Sequence, residues 1–327
     1  MTTHGFVLGK FMPPHNGHVF LCDFARNYAD HLTILVCSLP DDPVDGKLRF
    51  DWMRELFPDC RVIHFSEVVP QEPSDHPEFW SIWRSIVRSA HPEPLDFVFA
   101  SDAYGARLAS EMDARFVPVD PLRQAVNISG TSVRANPYRH WHHLPAPVRA
   151  YFAQTVCVVG PESTGKSALV RNLASRFKTV GLAEYGRTHT DTFGTAVSAE
   201  DLCRIVRGHR SAEFAAKRNA NRILVSDTDP LMTCVWADML LGQRPECLLD
   251  TGPIADYYLL MDVDVPWVDD GTRYFPAHED RSRFMSLCRA ELERRGADYV
   301  LVRGDWQVRF EESVSAILTR FPWLEGG

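Results

Sequence analysis

The chain has 327 residues, enough for two domains that each bury their own core. Its 45% hydrophobic and 24% charged residues are those of a globular protein, and a formal charge of -8 argues against a general binder of nucleic acid or membrane surfaces. No apolar stretch is long enough to span a bilayer and no signal peptide is visible before the first strand; the scattered cysteines, read as reduced thiols, fit a reducing cytoplasm.

In chain order, residues 6–8 read as a short strand, 17–29 as a helix and 32–37 as an apolar, β-rich strand buried on both faces. Residues 47–57 place Leu48, Trp52 and Leu56 on one helical face. A strand at 61–65, a helix at 79–89, a strand at 97–101, a helix at 104–112 and a strand at 116–119 follow. Such alternation points to an open parallel sheet with helices on both sides. Residues 136–154 interrupt it with three prolines and a cluster of histidines, which reads as a connection between domains 1–145 and 146–327. The pattern then restarts with a strand at 155–159, a helix at 166–177 and a strand at 180–184 ending in Glu184. Ser198, with Asp201 three residues on, predicts the capped start of a helix running to about Asn219. Strands at 223–226, 258–263 and 299–302 complete the chain, separated by helices. The expected fold class is α/β, with two doubly wound parallel-sheet domains. Eight cysteines are scattered without CxxC or metal-finger spacing; Cys22, Cys37 and Cys157 sit in apolar runs and read as reduced, buried thiols.

Two stretches have the composition of phosphate sites. In Gly9-Lys10-Phe11-Met12-Pro13-Pro14-His15-Asn16-Gly17-His18, two histidines three apart share one face of a helix start. A helix N-terminus offers unpaired N–H groups and partial positive charge, and Gly17 lets a nucleotide approach the backbone. Two such histidines are also common as surface or capping residues. Ile128-Ser129-Gly130-Thr131-Ser132-Val133-Arg134 follows the last strand of the first domain and opens another helix, with hydroxyls to cap and cradle and Arg134 to meet charge. Trp83 is a candidate to stack on a flat heterocycle, whereas Trp80 reads as core. Asp102 stands just past a strand end, where doubly wound folds place ligand contacts.

Gly160-Pro161-Glu162-Ser163-Thr164-Gly165-Lys166-Ser167 matches GxxxxGK[ST] between a strand and a helix. Backbone N–H groups of residues 163–167 wrap phosphates in such loops, Lys166 reaches the β- and γ-phosphates, and Ser167 ligates Mg²⁺. Asp227 fits an acid acting on the same Mg²⁺, and Asp229 is expected on the same strand face for substrate contact. Ala183-Glu184-Tyr185-Gly186-Arg187 resembles the stretch in which P-loop nucleoside kinases carry the acid that takes the acceptor hydroxyl's proton, which implies that role for Glu184 and acceptor contacts for Tyr185 and Arg187. The competing reading of Glu184 is a strand-end carboxylate paired with Arg187. Arg273, Arg281 and Arg283 are candidates to cover ATP from a charged loop that includes Trp267-Val268-Asp269-Asp270-Gly271. His140, His142 and His143 lack a carboxylate or cysteine partner at metal spacing and read as connector surface.

The first pair of motifs resembles the nucleotidyltransferases that carry (H/T)xGH and ISxTxxR. That likeness implies an ATP site formed by Gly9, Lys10, Phe11, His15, Gly17, His18, Ser129, Thr131 and Arg134, with His15, His18 and Arg134 acting on the phosphates. Taken in order, GKFMPPHNGH, ISGTSVRANP, GPESTGKS, AEYGR, SDTD and WVDDG resemble the bifunctional nicotinamide-nucleotide adenylyltransferase/ribosylnicotinamide kinases of the NadR-like family. The resemblance covers nearly the whole chain. It implies that the second domain phosphorylates nicotinamide riboside to NMN with ATP, and that the first adenylylates NMN to NAD, releasing pyrophosphate. Lys166, Glu184 and Asp227 would act in the kinase step. Gly160, Glu162, Ser163, Thr164, Gly165, Ser167 and Arg273 would hold its nucleotide. Some relatives carry an N-terminal helix-turn-helix; the first strand here starts by about Phe6, so no nucleic-acid partner is expected. Small-molecule partners and no membrane insertion follow, and a homo-oligomer is compatible. An NAD- or ATP-sensing regulator with weak turnover, or an enzyme for another nucleoside, stays open at this stage.

Overall fold

The computed structural model describes residues 2–268 and 273–325. They fall into two compact units that divide between Val148 and Arg149.

In the first unit, strands β1 (His4–Gly9), β2 (His31–Cys37), β3 (Arg61–Phe65), β4 (Phe97–Ala100) and β5 (Arg115–Pro118) form one parallel sheet in the order β3-β2-β1-β4-β5. Between them run α1 (Asn16–Tyr28), α2 (Gly46–Leu56), α3 (Phe79–Ala90) and α4 (Tyr104–Glu111); α5 (Gly130–Ala135) and a 3-10 turn at Trp141–His143 follow. Alternation along the strands divides the core. Val7, Ile34, Val36 and Phe99 enter one layer, while Phe6, Leu35, Cys37 and Val98 enter the other. The strand order reverses beside β1, so the loop leaving Gly9 opens into the crevice where such sheets bind ligands.

A short helix, α6 (Ala146–Phe152), spans the division between the units. In the second unit, strands β6 (Gln154–Val159), β7 (Gly181–Leu182), β8 (Ile223–Asp227), β9 (Tyr257–Met261) and β10 (Tyr299–Val302) make a second parallel sheet in the order β10-β9-β6-β8-β7. The helices are α7 (Lys166–Arg176), α8 (Tyr185–Phe193), α9 (Ala199–Lys217), α10 (Pro230–Leu240), α11 (His278–Arg294) and α12 (Trp306–Arg320). Val156, Val158, Val225 and Leu259 pack into one layer, and Cys157, Val159, Tyr258 and Leu260 into the other.

Four details depart from the sequence reading. The strand expected at 180–184 is only Gly181–Leu182, and Glu184 is the N-cap of α8, a helix the sequence pattern missed. Strand β8 ends at Asp227; Thr228 turns with φ 62°, and Asp229 caps α10, so the two carboxylates do not continue one strand face. On α2 the residue buried with Trp52 and Met53 is Arg49, fully enclosed, while Leu48 and Leu56 are partly exposed. Cys203 and Cys247 form a disulfide that ties α9 to the turn at Glu246–Leu248; Cys22, Cys37 and Cys157 are unpaired and buried. No helix among the described residues is long and apolar enough to cross a membrane.

Candidate active sites

The first unit holds a cavity of about 680 Å³ at the end of β1. Gly9, Lys10, Phe11, His15, Gly17, His18, Trp83, Asp102 and Ser129 line it. His15 is the N-cap of α1: the His18 N–H donates to His15 Nδ1 at 3.4 Å and the His15 N–H donates to His18 Nδ1 at 3.3 Å. The rings stack with centroids 3.7 Å apart. Both Nδ1 atoms accept, so each neutral ring keeps its proton on Nε2 as a donor. Burial, with Arg123 and His143 nearby, lowers the His15 pKa to about 4; burial, His15 and Arg123 push His18 well below its ordinary value. At neutral pH the pair is uncharged. An uncharged pair can meet an anion only by hydrogen bonding, whereas Lys10 and Arg123 are the cationic side chains on the same cavity.

The second motif meets the first through the backbone. The Arg134 guanidinium donates to the Met12 carbonyl at 2.6 Å and to Thr131 Oγ1 at 3.1 Å. A Cβ at Gly130 would stand 2.9 Å from the Met12 oxygen, so only glycine allows this approach. Ser129 caps α5, accepting from the Ser132 N–H at 3.1 Å. Thr131 and Arg134 are exposed and lie outside the cavity lining, against the expectation that Arg134 projects into it. Both tryptophans line the cavity: Trp83 is buried, with Nε1–H donating to the Pro70 carbonyl at 3.0 Å, and Trp80, expected only as core, packs against that core with partial exposure and Arg107 5.6 Å over its ring. Asp102 stands 3.6 Å from Arg123, a cavity residue that no motif marked. The connector histidines are not bystanders: Asn16 Nδ2 donates to the His142 carbonyl at 3.1 Å.

The second unit holds a cavity of about 420 Å³ around the loop after β6. That loop adopts positive φ at Gly160 (135°), Ser163 (60°) and Gly165 (84°), the kind of backbone from which anion nests are built. Thr164 Oγ1 and Lys166 Nζ donate to the Pro161 carbonyl at 2.8 and 2.9 Å, and Glu162 accepts the N–H groups of Tyr274 and Phe275 at 3.0 and 3.1 Å. Ser167 Oγ donates to Asp227 Oδ2, while buried Asp227 Oδ1 has no partner among the described residues. A hydroxyl and a carboxylate together, with one carboxylate oxygen left over, suit a hard divalent cation.

Glu162, Ser163, Gly165, Lys166, Ser167, Glu184, Arg187, Asp229 and Arg273 line this cavity. Glu184 is half-buried; burial and then Asp227 push its pKa up to about 7, against Lys166 and Arg187. Burial likewise raises Asp229 to about 6, although it accepts Tyr258 Oη–H at 2.5 Å. Tyr185 stays outside the lining and packs its ring against Gly208. Gly160 backs onto the Met261 carbonyl, and Thr164 is fully buried. Arg273 donates to the Val268 carbonyl; Arg281 is buried against the Val265 carbonyl at 3.4 Å, and Arg283 is exposed. Asp269, Asp270 and Gly271 lie outside the described residues. The sequence reading missed the far end of the chamber, where Trp236 and Tyr274 meet edge to face at 5.7 Å beside His209 and Thr233. No local motif signals them, because α9, α10 and the segment before α11 each supply a part.

These features define a two-unit α/β protein with a separate cavity in each unit, each lined by one of the phosphate-site motifs. A family described as "AAA domain" matches residues 155–309, the P-loop unit. Over 96% of its length the chain is 29% identical to the trifunctional NAD biosynthesis/regulator protein NadR of Escherichia coli (strain K12), covering 82% of that protein. The protein of the same name from Salmonella typhimurium matches equally, at 29% identity over 96% of this chain and 82% of its own length. Two crystal structures of NadR protein, one in complex with NAD and AMP-PNP and one with NR, share the fold. Their TM-scores are 0.77 and 0.79 at 22% identity, covering 98% of this chain and 97% of each of theirs. The chain is NadR-like in sequence and in fold.

Proposed function

We propose that this protein is a bifunctional enzyme of NAD salvage: residues 146–327 phosphorylate nicotinamide riboside with ATP, and residues 1–145 join NMN to the adenylyl group of ATP, releasing pyrophosphate. One observation carries the reading. A chain similar to NadR along nearly its whole length has two distinct cavities, each lined by a phosphate-site motif, one of which pairs a P-loop with a carboxylate raised to about pKa 7.

In the P-loop cavity, Glu184 takes the proton of the riboside hydroxyl as its oxygen attacks the γ-phosphorus of ATP. The N–H groups of residues 163–167 and the Lys166 ammonium hold the phosphates in line. Ser167 and Asp227 would hold Mg²⁺, which when bound neutralises charge on the β- and γ-phosphates. Trp236 and Tyr274 offer π-faces, and Asp229 with Glu184 offers negative charge. That combination suits a flat, positively charged ring such as the nicotinamide of the riboside. In the first cavity a phosphate oxygen of NMN attacks the α-phosphorus of ATP. The Nε2–H donors of His15 and His18, with Lys10, stabilise charge spreading over the departing pyrophosphate. No covalent intermediate on the enzyme is required.

The test is to incubate the purified protein with Mg-ATP and nicotinamide riboside and follow NMN and NAD by chromatography. NMN should appear first and NAD after it. Binding of both nucleotides without either product would replace this reading with a sensor.

A further inference from the structure

Among the described residues, the two bulkiest fully enclosed side chains are both arginines, Arg49 and Arg309, exposed by 0% and 1%. A buried guanidinium must find partners for all its donors, and both find the same kinds. Arg49 Nη1 donates to the carbonyl of Lys10 at 2.5 Å and of Cys37 at 3.2 Å, and Nη2 meets Asp42 Oδ2 at 2.6 Å. Arg309 Nη1 donates to the carbonyl of Thr164 at 2.8 Å; Nη2 donates to the Asp262 carbonyl at 3.1 Å and to Asp264, and Nε to the Gly304 carbonyl at 2.7 Å. In each unit one guanidinium ties the nucleotide loop to the C-terminal end of the adjacent strand. Cys37 ends β2, which neighbours β1, and Asp262 follows β9, which neighbours β6.

We propose that Arg49 and Arg309 are positioning residues that set the phosphate-facing amides of the two nucleotide loops. The physical link is the planar trans peptide, in which a carbonyl and the following N–H point in opposite directions. Among the described residues Met12-Pro13 is the one cis peptide bond, so the Lys10-Phe11 and Thr164-Gly165 peptides are both trans. Holding the Lys10 oxygen on its outer side therefore turns the Phe11 N–H the other way, and holding the Thr164 oxygen does the same for Gly165. Phe11 and Gly165 line the two cavities. The fork of a guanidinium joins a loop carbonyl, a strand-end carbonyl and a carboxylate at once, which a lysine ammonium cannot match in that plane.

This inference rests on the two activities proposed above, so its experiment reads binding as well as turnover. Arg309→Lys should lower kcat for riboside phosphorylation by about 10²-fold, the scale of a small misplacement of reacting groups, and leave NAD formation from supplied NMN within about twofold. Arg49→Lys should do the reverse. Titration of each intact protein with AMP-PNP supplies the second readout, with Lys166→Ala marking which binding event belongs to the P-loop. Arg309→Lys should weaken that event about tenfold and Arg49→Lys the other. If neither product forms in the wild type yet this binding pattern holds, the proposed function fails and the positioning role stands. Lysine variants that turn over and bind like the wild type would reduce both arginines to counter-ions of Asp42 and Asp264 and overturn the proposal. Equal loss of both activities in each variant would overturn it too. Should a lysine variant not fold, Asp264→Asn and Asp42→Asn keep the guanidinium but loosen it. They should raise amide hydrogen exchange at residues 160–166 and 9–12 respectively, and unchanged exchange there would count against the proposal.

Discussion

His15 and His18 hold each other through reciprocal backbone bonds, and that geometry has a measurable consequence. The folded His15 pKa is about 4, against an ordinary 6.5. Between those values the unfolded chain binds a proton that the folded chain refuses, so stability rises with pH from about 4 to 6.5 and is level above. Urea denaturation at pH 5 and pH 7 should show a larger loss on acidification for the wild type than for His15→Gln; equal losses would show that His15 is not held neutral. Glu184 works in the opposite direction. With a pKa near 7 it is half protonated at neutral pH, so kcat/KM for phosphorylation should rise with pH through about 7. Glu184→Gln should remove that limb and cost about 10²–10⁴ in rate, while adenylyl transfer keeps its profile. The identities of these groups were readable from motifs. Their protonation states were not, because burial is a property of the packed chain.

At the scale of elements, helix starts were the most legible features and strand ends the least. Ser198 and Asp201 form the expected reciprocal cap on α9, with Ser198 Oγ accepting from the Asp201 N–H at 3.3 Å and Asp201 Oδ2 from the Ser198 N–H at 3.0 Å. That helix carries Leu202, Ile205 and His209 to the second cavity. Ser198→Ala should cost about 1 kcal/mol in urea unfolding of the second unit, and a change below about 0.3 kcal/mol would mean the cap contributes nothing. The stretch before it was misread. Residues 180–184 have strand composition, but only Gly181 and Leu182 pair as a strand, on the edge beyond β8, with the Val180 carbonyl accepting from the Val225 N–H at 3.1 Å. Glu184 could then turn out of the sheet and open α8, which carries Gly186, Arg187 and Thr190 to the cavity. Asp227 and Asp229 diverge for a similar reason: the turn at Thr228 gives one to Ser167 and the other to Tyr258 and α10.

At the scale of the whole molecule, two sites in two compact units should be separable by single substitutions. Lys166→Ala should stop NMN formation from riboside yet spare NAD formation from supplied NMN. His18→Ala should let NMN accumulate, with a loss in adenylyl transfer of about 10²–10³-fold, the scale of one preorganised donor. Loss of both activities in either folded variant would sink the independent-site reading. The sequence by itself determined the class of fold, the order of the two units and the loops that line the two cavities. Apolar periodicity and phosphate loops are local, written within a few residues of one another. Tertiary structure alone decided what stands around those loops. The Trp236–Tyr274 wall, the Cys203–Cys247 bridge and the neutral histidine pair depend on burial and on elements far apart in the chain. The clearest cases are Arg49 and Arg309, which no sequence motif marked. They brace the loops only because folding brings together partners 39 and 145 residues apart and shuts water out around them.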